Sequence, residues 1–432
     1  MDVKAEKPAF MKKKFPVAVR MACFLTLLLS GSGCLKDKVT RTYSYYAPVY
    51  ETLTQARSSI KTGEAIPVQA PGKISVYKNN LFIVEATKGI HVIDNSDPAH
   101  PKNISFIQVP GITNIAVAND ILYADDVYGD LVSADIGDPA HAVIKKCLAN
   151  IFPAYYGLVG AGTNPDSLRV ITGLVLKDTT VSNEPPNTCI NCQYMNSAVP
   201  GASNPTSAPV VGTNGSTAGF AILNDYLYAM AYTTTLNIVN ISAAGSPSLS
   251  GQVNLGADYE TIFPFEGKLF MGNFNGMYIY DLSNPAAPVK QGTFSHLRTC
   301  DPVIADGPHA FVTLHSGTTC SGYTNELDVL DITSLSNPSL LKIYALTNPR
   351  GLSKDGNLLF ICDGQDGLKI FDATDVNNLN PVKNLGGFEA NDVIAQHGNA
   401  IVIATDGIYQ FDYSDIQHIQ QLSKIAAHAT TL

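Results

Sequence analysis

Apolar residues in this chain come in short runs that alternate with polar ones over five or six positions and then stop at Asp or Asn. The pattern is a small or polar residue, an apolar one, any residue, an apolar one, an apolar or aromatic one, and the terminal Asp or Asn. It returns seven times: GIHVID ending at Asp94, DLVSAD at Asp135, TLNIVN at Asn240, GMYIYD at Asp281, ELDVLD at Asp331, GLKIFD at Asp372 and GIYQFD at Asp412. Most copies are 40 or 41 residues apart. A period of two in short runs predicts strands. Each copy follows another apolar run, among them LFIVEA, ILYADD, LLFICD and AIVIAT, and several are followed by Pro, as in NSDPAHP and SNPAAP. The Asp side chain can accept from the backbone N–H two residues on, and Pro fixes φ while withholding a donor, so together they stop the strand and turn the chain. Four antiparallel strands per period cannot bury both faces alone, and a period near 40 is the mark of propeller blades. The expected fold is all-β: a seven-bladed β-propeller of four-stranded antiparallel blades over residues 64–432.

The stretches GKISVYKNNLFIVEATKGIHVIDNSDPAHPKNISFI, ETIFPFEGKLFMGNFNGMYIYDLSNPAAP and GIYQFDYSD resemble the LVIVD-repeat lipoproteins of bacteria, a family of β-propellers named for this strand-ending motif. The resemblance runs along nearly the whole chain after the N-terminal region and implies an architecture, without implying a reaction. Two interruptions break the period. Asp135 to Asn240 spans 105 residues, so a surface insertion is expected at about 157–211, rich in Pro, Asn, Ser and Gly, with LRVITGLVL its one strand-like run. A smaller loop surrounds SGTTCSGYTNE in blade five.

The first 33 residues differ in kind. Lys12, Lys13, Lys14 and Arg20 precede MACFLTLLLS, which is too short to span a bilayer and reads as a secretory signal. Gly31, Ser32 and Gly33 directly before Cys34 resemble a bacterial lipobox, with Gly31 where that motif usually has Leu, so Cys34 is the expected lipidation site and 34–63 a lipid-anchored tether. Lys36 and Asp37 resemble the export signal of some Bacteroidetes surface lipoproteins, so the expected address is the outer membrane. The formal net charge is −9; loss of residues 1–33, with six basic and two acidic side chains, takes it to −13. Such a body repels phosphate backbones, which disfavours nucleic acid and leaves the lipid anchor as the only membrane link.

Cys300 and Cys320, at the start of blade five and in its extra loop, are a candidate disulfide, and Cys189 and Cys192 inside the insertion are a second. The C-x-x-C has no histidine or second pair nearby to complete a zinc site, so no metal is assigned. Cys147 and Cys362 read as apolar fillers. CDGQDG at 362–367 lacks the donors of a calcium loop and reads as a turn between strands. Nucleophile-elbow, zinc-protease, phosphate-loop and dinucleotide motifs are missing, and the chain has no Trp, which removes the quinoprotein, sialidase and WD40 propellers. No cofactor is implied.

Counting twenty residues on from a motif Asp or Asn reaches the start of the next blade's first strand: Asn114, Glu260, Asp301, Gly351 and Asp392, with Arg350 and Lys73 nearby. First strands line a propeller's channel, so Asn114, Glu260, Asp301, Arg350 and Asp392 form a candidate ligand ring at one mouth. Clustered carboxylates there suit a cation or acid–base chemistry. Their structural alternative is hydrogen bonding to neighbouring inner strands. The expected function is an envelope lipoprotein whose propeller binds an unidentified protein or glycan; the rival is a glycan lyase or hydrolase using the acidic ring.

Overall fold

The structure, a computed structural model, describes residues 41–153, 167–181, 211–230, 234–257, 259–273, 275–295, 302–316 and 324–428. The seven repeats are seven antiparallel blades covering 71–108, 115–148, 220–254, 261–295, 303–345, 352–385 and 390–426. Their strands run in chain order from the inside outward, and successive first strands touch from blade one to blade seven.

Burial follows the alternation. In the second strand of blade one, Phe82 and Val84 enter the core shared with blade two, while Leu81 and Ile83 enter the core shared with blade seven. Every blade divides its side chains in this way, and the result is seven apolar clusters, one per joint. Each fully buried Ile, Leu or Phe contributes about 1.5–3 kcal/mol relative to exposure.

The motif residue does what its chemistry predicts. Asp94, Asp135, Asn240, Asp331, Asp372 and Asp412 each accept, through Oδ1, the N–H two residues on at 2.8–3.0 Å, and Asp281 holds the N–H of Ser283. The turn it starts also meets the blade before it. Pro98 O accepts from Ser423 of blade seven, Pro139 O from Ser105 of blade one, Pro285 O from Tyr228 of blade three and Val376 O from Tyr344 of blade five. At the joint of blades four and five the approach is closer, since a Cβ on Gly292 would lie 1.8 Å from Leu335 O.

Two regularities were not read from the sequence. The fourth strand of every blade carries one extra residue opposite the third, a bulge that bends and twists the outer edge. In three blades a carboxylate ending the second strand also receives two consecutive amides from the segment entering the first. Glu85 holds Gln69 and Ala70, Asp125 holds Thr113 and Asn114, and Asp363 holds Thr347 and Asn348. CDGQDG is accordingly the expected turn, with Lys369 bridging Asp363 and Asp366. Cys362 is free and fully buried, as a filler should be, and Cys147 is free and half-buried.

The segment 34–63, expected as a tether, is in part built into the fold. Lys61–Gly63 adds to the outer edge of blade one, and the helix Leu53–Ser58, closed by a Thr52/Gln55 capping box, sets Leu53 and Ala56 against Val127, Tyr128 and Val170. Arg57 forks onto Asp130 at 2.5 and 2.9 Å. Polar patterning hid this because most of the helix's apolar contact comes from two residues. LRVITGLVL does form a strand, Arg169–Val181, paired with Arg41–Thr52. Residues 41–48 and 174–181 belong to a compact unit separate from the blades. Residues 1–40 with Cys34, most of the insertion, and Cys189, Cys192, Cys300 and Cys320 lie outside the described residues.

The Gly292–Leu335 contact predicts that Gly292→Ala forces blades four and five apart and costs about 1–3 kcal/mol in urea unfolding. Gly63→Ala, which meets nothing within 4 Å, stays within about 0.5 kcal/mol of the parent.

Beside Asp130, Asp126 is buried with Oδ1 holding the amides of Tyr128 and Asp130 and Oδ2 unpartnered. Burial, and then the charge of Asp130, push its carboxyl up to about 8. Because the folded state holds this proton far above the unfolded carboxyl's range, the group lowers stability progressively from about pH 4 to pH 8, by at most about 1.4 kcal/mol per pH unit. Asp126→Asn is expected to flatten that decline, measured as urea midpoints at pH 5, 6.5 and 8.

Candidate functional site at the channel mouth

The first strands begin where the count of twenty placed them. Asn114, Glu260 and Gly351 immediately precede the strands Ile115–Ala118, Thr261–Phe265 and Leu352–Asp355, and Asp392 lies inside Ala390–Gln396. Asp301 lies outside the described residues. The ring is not an open set of ligands, however, because the chain itself enters it.

After the insertion, residues 211–219 run as a strap along the inner strands. Val211 bridges Ala118 and Gly212 donates to Val117 O, both in blade two. Thr213 and Asn214 then pair with Val76 and Ser75 of blade one. Ser216 Oγ reaches Asp392 at 3.3 Å in blade seven and accepts the N–H of Leu352 at 2.8 Å in blade six. Thr217 Oγ1 donates to Asp392 at 2.6 Å, and Gly219 N–H donates to Asn114 at 3.0 Å. The glycines fit this route. A Cβ at Gly215 or Gly351 would sit 2.1 Å from an Asp392 oxygen, and one at Gly219 would sit 2.5 Å from Asn114 Oδ1.

Asn114 and Asp392 are therefore buried and engaged inside the chain, which is the hydrogen-bonding alternative for these two positions. Arg350 turns to the joint of blades six and seven, donating to Asn391 and, at 2.6 Å, to Glu389. Lys73 donates to Asn114 Oδ1 at 2.6 Å, with Asp125, Asp392 and Glu260 acting on it electrostatically. Burial dominates there and lowers the Lys73 ammonium below its ordinary range against the pull of those three carboxylates. Burial likewise raises Asp125 and Asp392 above the usual carboxylate range despite the hydrogen bonds each accepts. Glu260 is open to solvent yet walled by protein. Enclosure raises its carboxyl, and Lys73 partly offsets that rise. Sequence reasoning missed Ser216, Thr217 and Asp125, although the acidic end of ILYADD sat in the same register as LFIVEA and LLFICD. Among the described residues no group of three His, Cys, Asp or Glu is placed to hold a metal ion.

A comparison with known families finds the repeat in four stretches of the chain. The chain carries LVIVD repeats. They match at residues 71–106, 214–255, 269–295 and 322–345. No curated protein matches the sequence. Among solved structures, a protein from Lactobacillus plantarum is similar with 14% identity and a TM-score of 0.53, covering 84% of this chain and 97% of its own. The computationally designed Ika8 protein is similar with 11% identity and a TM-score of 0.51, covering 85% and 91%. At such identities the likeness is one of fold alone, and the repeats are the more specific finding.

The strap predicts that Asp392→Ala, which strands the Ser216 and Thr217 hydroxyls inside the mouth, costs about 3 kcal/mol or more in urea unfolding. Thr217→Ser keeps the donor and costs less than about 1 kcal/mol. Equal losses for the two would remove Asp392 as the anchor.

Proposed function

We propose that the chain is a lipid-anchored protein of the cell envelope whose LVIVD propeller acts as a binding or protein-interaction module. The observation that carries this reading is the strap. It takes up Asn114 and Asp392 at the mouth, so polar groups that an enzyme would aim at substrate serve to hold the scaffold rigid. A rigid ring of turns, each pinned by its own Asp or Asn, is suited to presenting loops to a partner. Anchoring through Cys34 follows from the signal-like N-terminus. Among the described residues no helix is long and apolar enough to cross a membrane.

The polysaccharide-cleaving alternative retains one specific support, the solvent-open Glu260 with its raised pKa beside Lys73. One measurement tests the anchor and a second separates the readings. Cells fed an alkyne-tagged fatty acid are expected to label the parent chain and leave Cys34→Ser unlabelled; label on both would remove the anchor. Cross-linking on intact cells followed by mass spectrometry is expected to recover the same envelope protein or glycan with the parent and with Glu260→Gln. Turnover of a surface polysaccharide that Glu260→Gln abolishes without changing the unfolding curve would replace the binding module with the enzyme.

A further inference from the structure

The seven fourth strands form the circumference of the propeller, and their composition is unlike that of the chain. Lys102–Gln108, Val143–Leu148, Ser248–Asn254, Val289–Ser295, Ser339–Ala345, Asn380–Leu385 and Gln420–Ala426 hold none of the chain's 37 acidic residues. They hold seven exposed lysines: Lys102, Lys145, Lys146, Lys290, Lys342, Lys383 and Lys424. A molecule of net charge −9 thus keeps a cationic outer edge.

Part of this is edge protection. Lysines and bulges on an outer strand keep other strands from pairing with it. That need does not explain the edge of blades four and five. There Val289, Leu340, Leu341 and Ile343 are 64, 43, 37 and 47% exposed, a group of large apolar side chains on two neighbouring outer strands. Lys290 and Lys342 stand among them, and neither pairs with a carboxylate among the described residues. By contrast Lys145 and Lys424 are paired with Asp135 and Asp406.

We propose that the outer edge of blades four and five docks on the anionic leaflet of a phosphate-bearing lipid membrane. Lys290 and Lys342 meet headgroup phosphates while Val289, Leu340, Leu341 and Ile343 enter the boundary with the acyl chains. Ammonium groups on long stems with no carboxylate partner among the described residues, Lys290 resting over the Tyr278 ring, stand beside exposed aliphatic side chains and match a surface that is anionic outside and apolar just beneath. A soluble polyanion has no use for the four apolar residues. A β-strand partner is opposed by the bulge at Leu341 and by the flanking lysine. The propeller then contacts the membrane through its own surface as well as through any anchor, which amends the expectation drawn from net charge.

The test is flotation of the processed chain, residues 34–432 with Cys34→Ser, which retains every described residue and carries no acyl group. Its failure is therefore separate from any failure of anchoring. Binding is expected to vesicles of phosphatidylglycerol in phosphatidylcholine, weakened by salt and much weaker on phosphatidylcholine alone. Lys290→Gln with Lys342→Gln is expected to reduce it about thirty-fold. Leu340→Ser with Ile343→Ser is expected to remove the part that salt leaves behind, and Lys102→Gln with Lys383→Gln to change binding less than three-fold, all with parental unfolding curves. Two results would overturn the proposal: no vesicle binding, whether or not soluble polygalacturonate is retained, or equal losses for the two lysine pairs.

Discussion

Everything in this molecule depends on the division of each strand's side chains between two different joints. Phe82 and Ile83 are neighbours in sequence, yet they stabilise contacts on opposite sides of one blade. A blade taken alone would expose both of its apolar faces, so stability is a property of the ring. The same condition explains why the repeats read as nearly unbroken apolar runs: the inner strands are packed on both faces, and polar residues among them, such as Ser75 and Asp392, are buried.

A ring of this kind has one joint that chain continuity does not hold. Blade one is continuous over 71–108 and blade seven over 390–426, so no strand is shared between them. The joint is closed by the cluster of Ile74, Ile83, Ile93, Ile394, Ile401 and Ile403, together with a reciprocal amide pair between Asn95 and Gln410 at 3.0 and 2.7 Å. His428 also donates its N–H to Val68 O at 2.8 Å. From the inside, the strap touches blades one, two, four, six and seven, and it spans the closing joint between Thr213 and Asn214 on blade one and the Ser216 and Thr217 hydroxyls on Asp392 of blade seven. The Ser423-to-Pro98 contact repeats at this joint the turn-to-previous-blade bond found at other joints, so the last blade meets the first much as it would meet an eighth.

Blade number, strand order and the turn chemistry of the terminal Asp were legible in the sequence because each is a local consequence repeated seven times. The strap was not. GTNGSTAG reads as a loop, and what orders it is a carboxylate 175 residues away at Asp392, a pairing that no local pattern encodes. The candidate ring shows both outcomes at once. Counting found the first-strand positions of Asn114 and Asp392, but their availability depended on where the insertion returned. Arg350 was placed near the mouth by sequence distance alone, and its guanidinium instead serves a blade joint. The docked helix Leu53–Ser58 escaped notice because a six-residue helix with two buried side chains carries almost no periodic signal.

The disposition of charge follows from the same packing. Several carboxylates in the interior of the ring are held where donors converge. Asp125 takes two amides and two side-chain donors, Asp363 takes two amides and Lys369, and Glu85 takes two amides and His91. Where donors run short, as at Asp126 with its Oδ2 unpartnered, burial raises the carboxyl instead. The Asp residues that close the third strands sit at turns, where each spends its lone pairs on ending a strand and stays near water. Outer strands, which must discourage pairing, take lysine. An acidic protein with a cationic, partly apolar edge is what results when one sequence rule serves the turns and another serves the rim, and the two surfaces are then free to meet different partners.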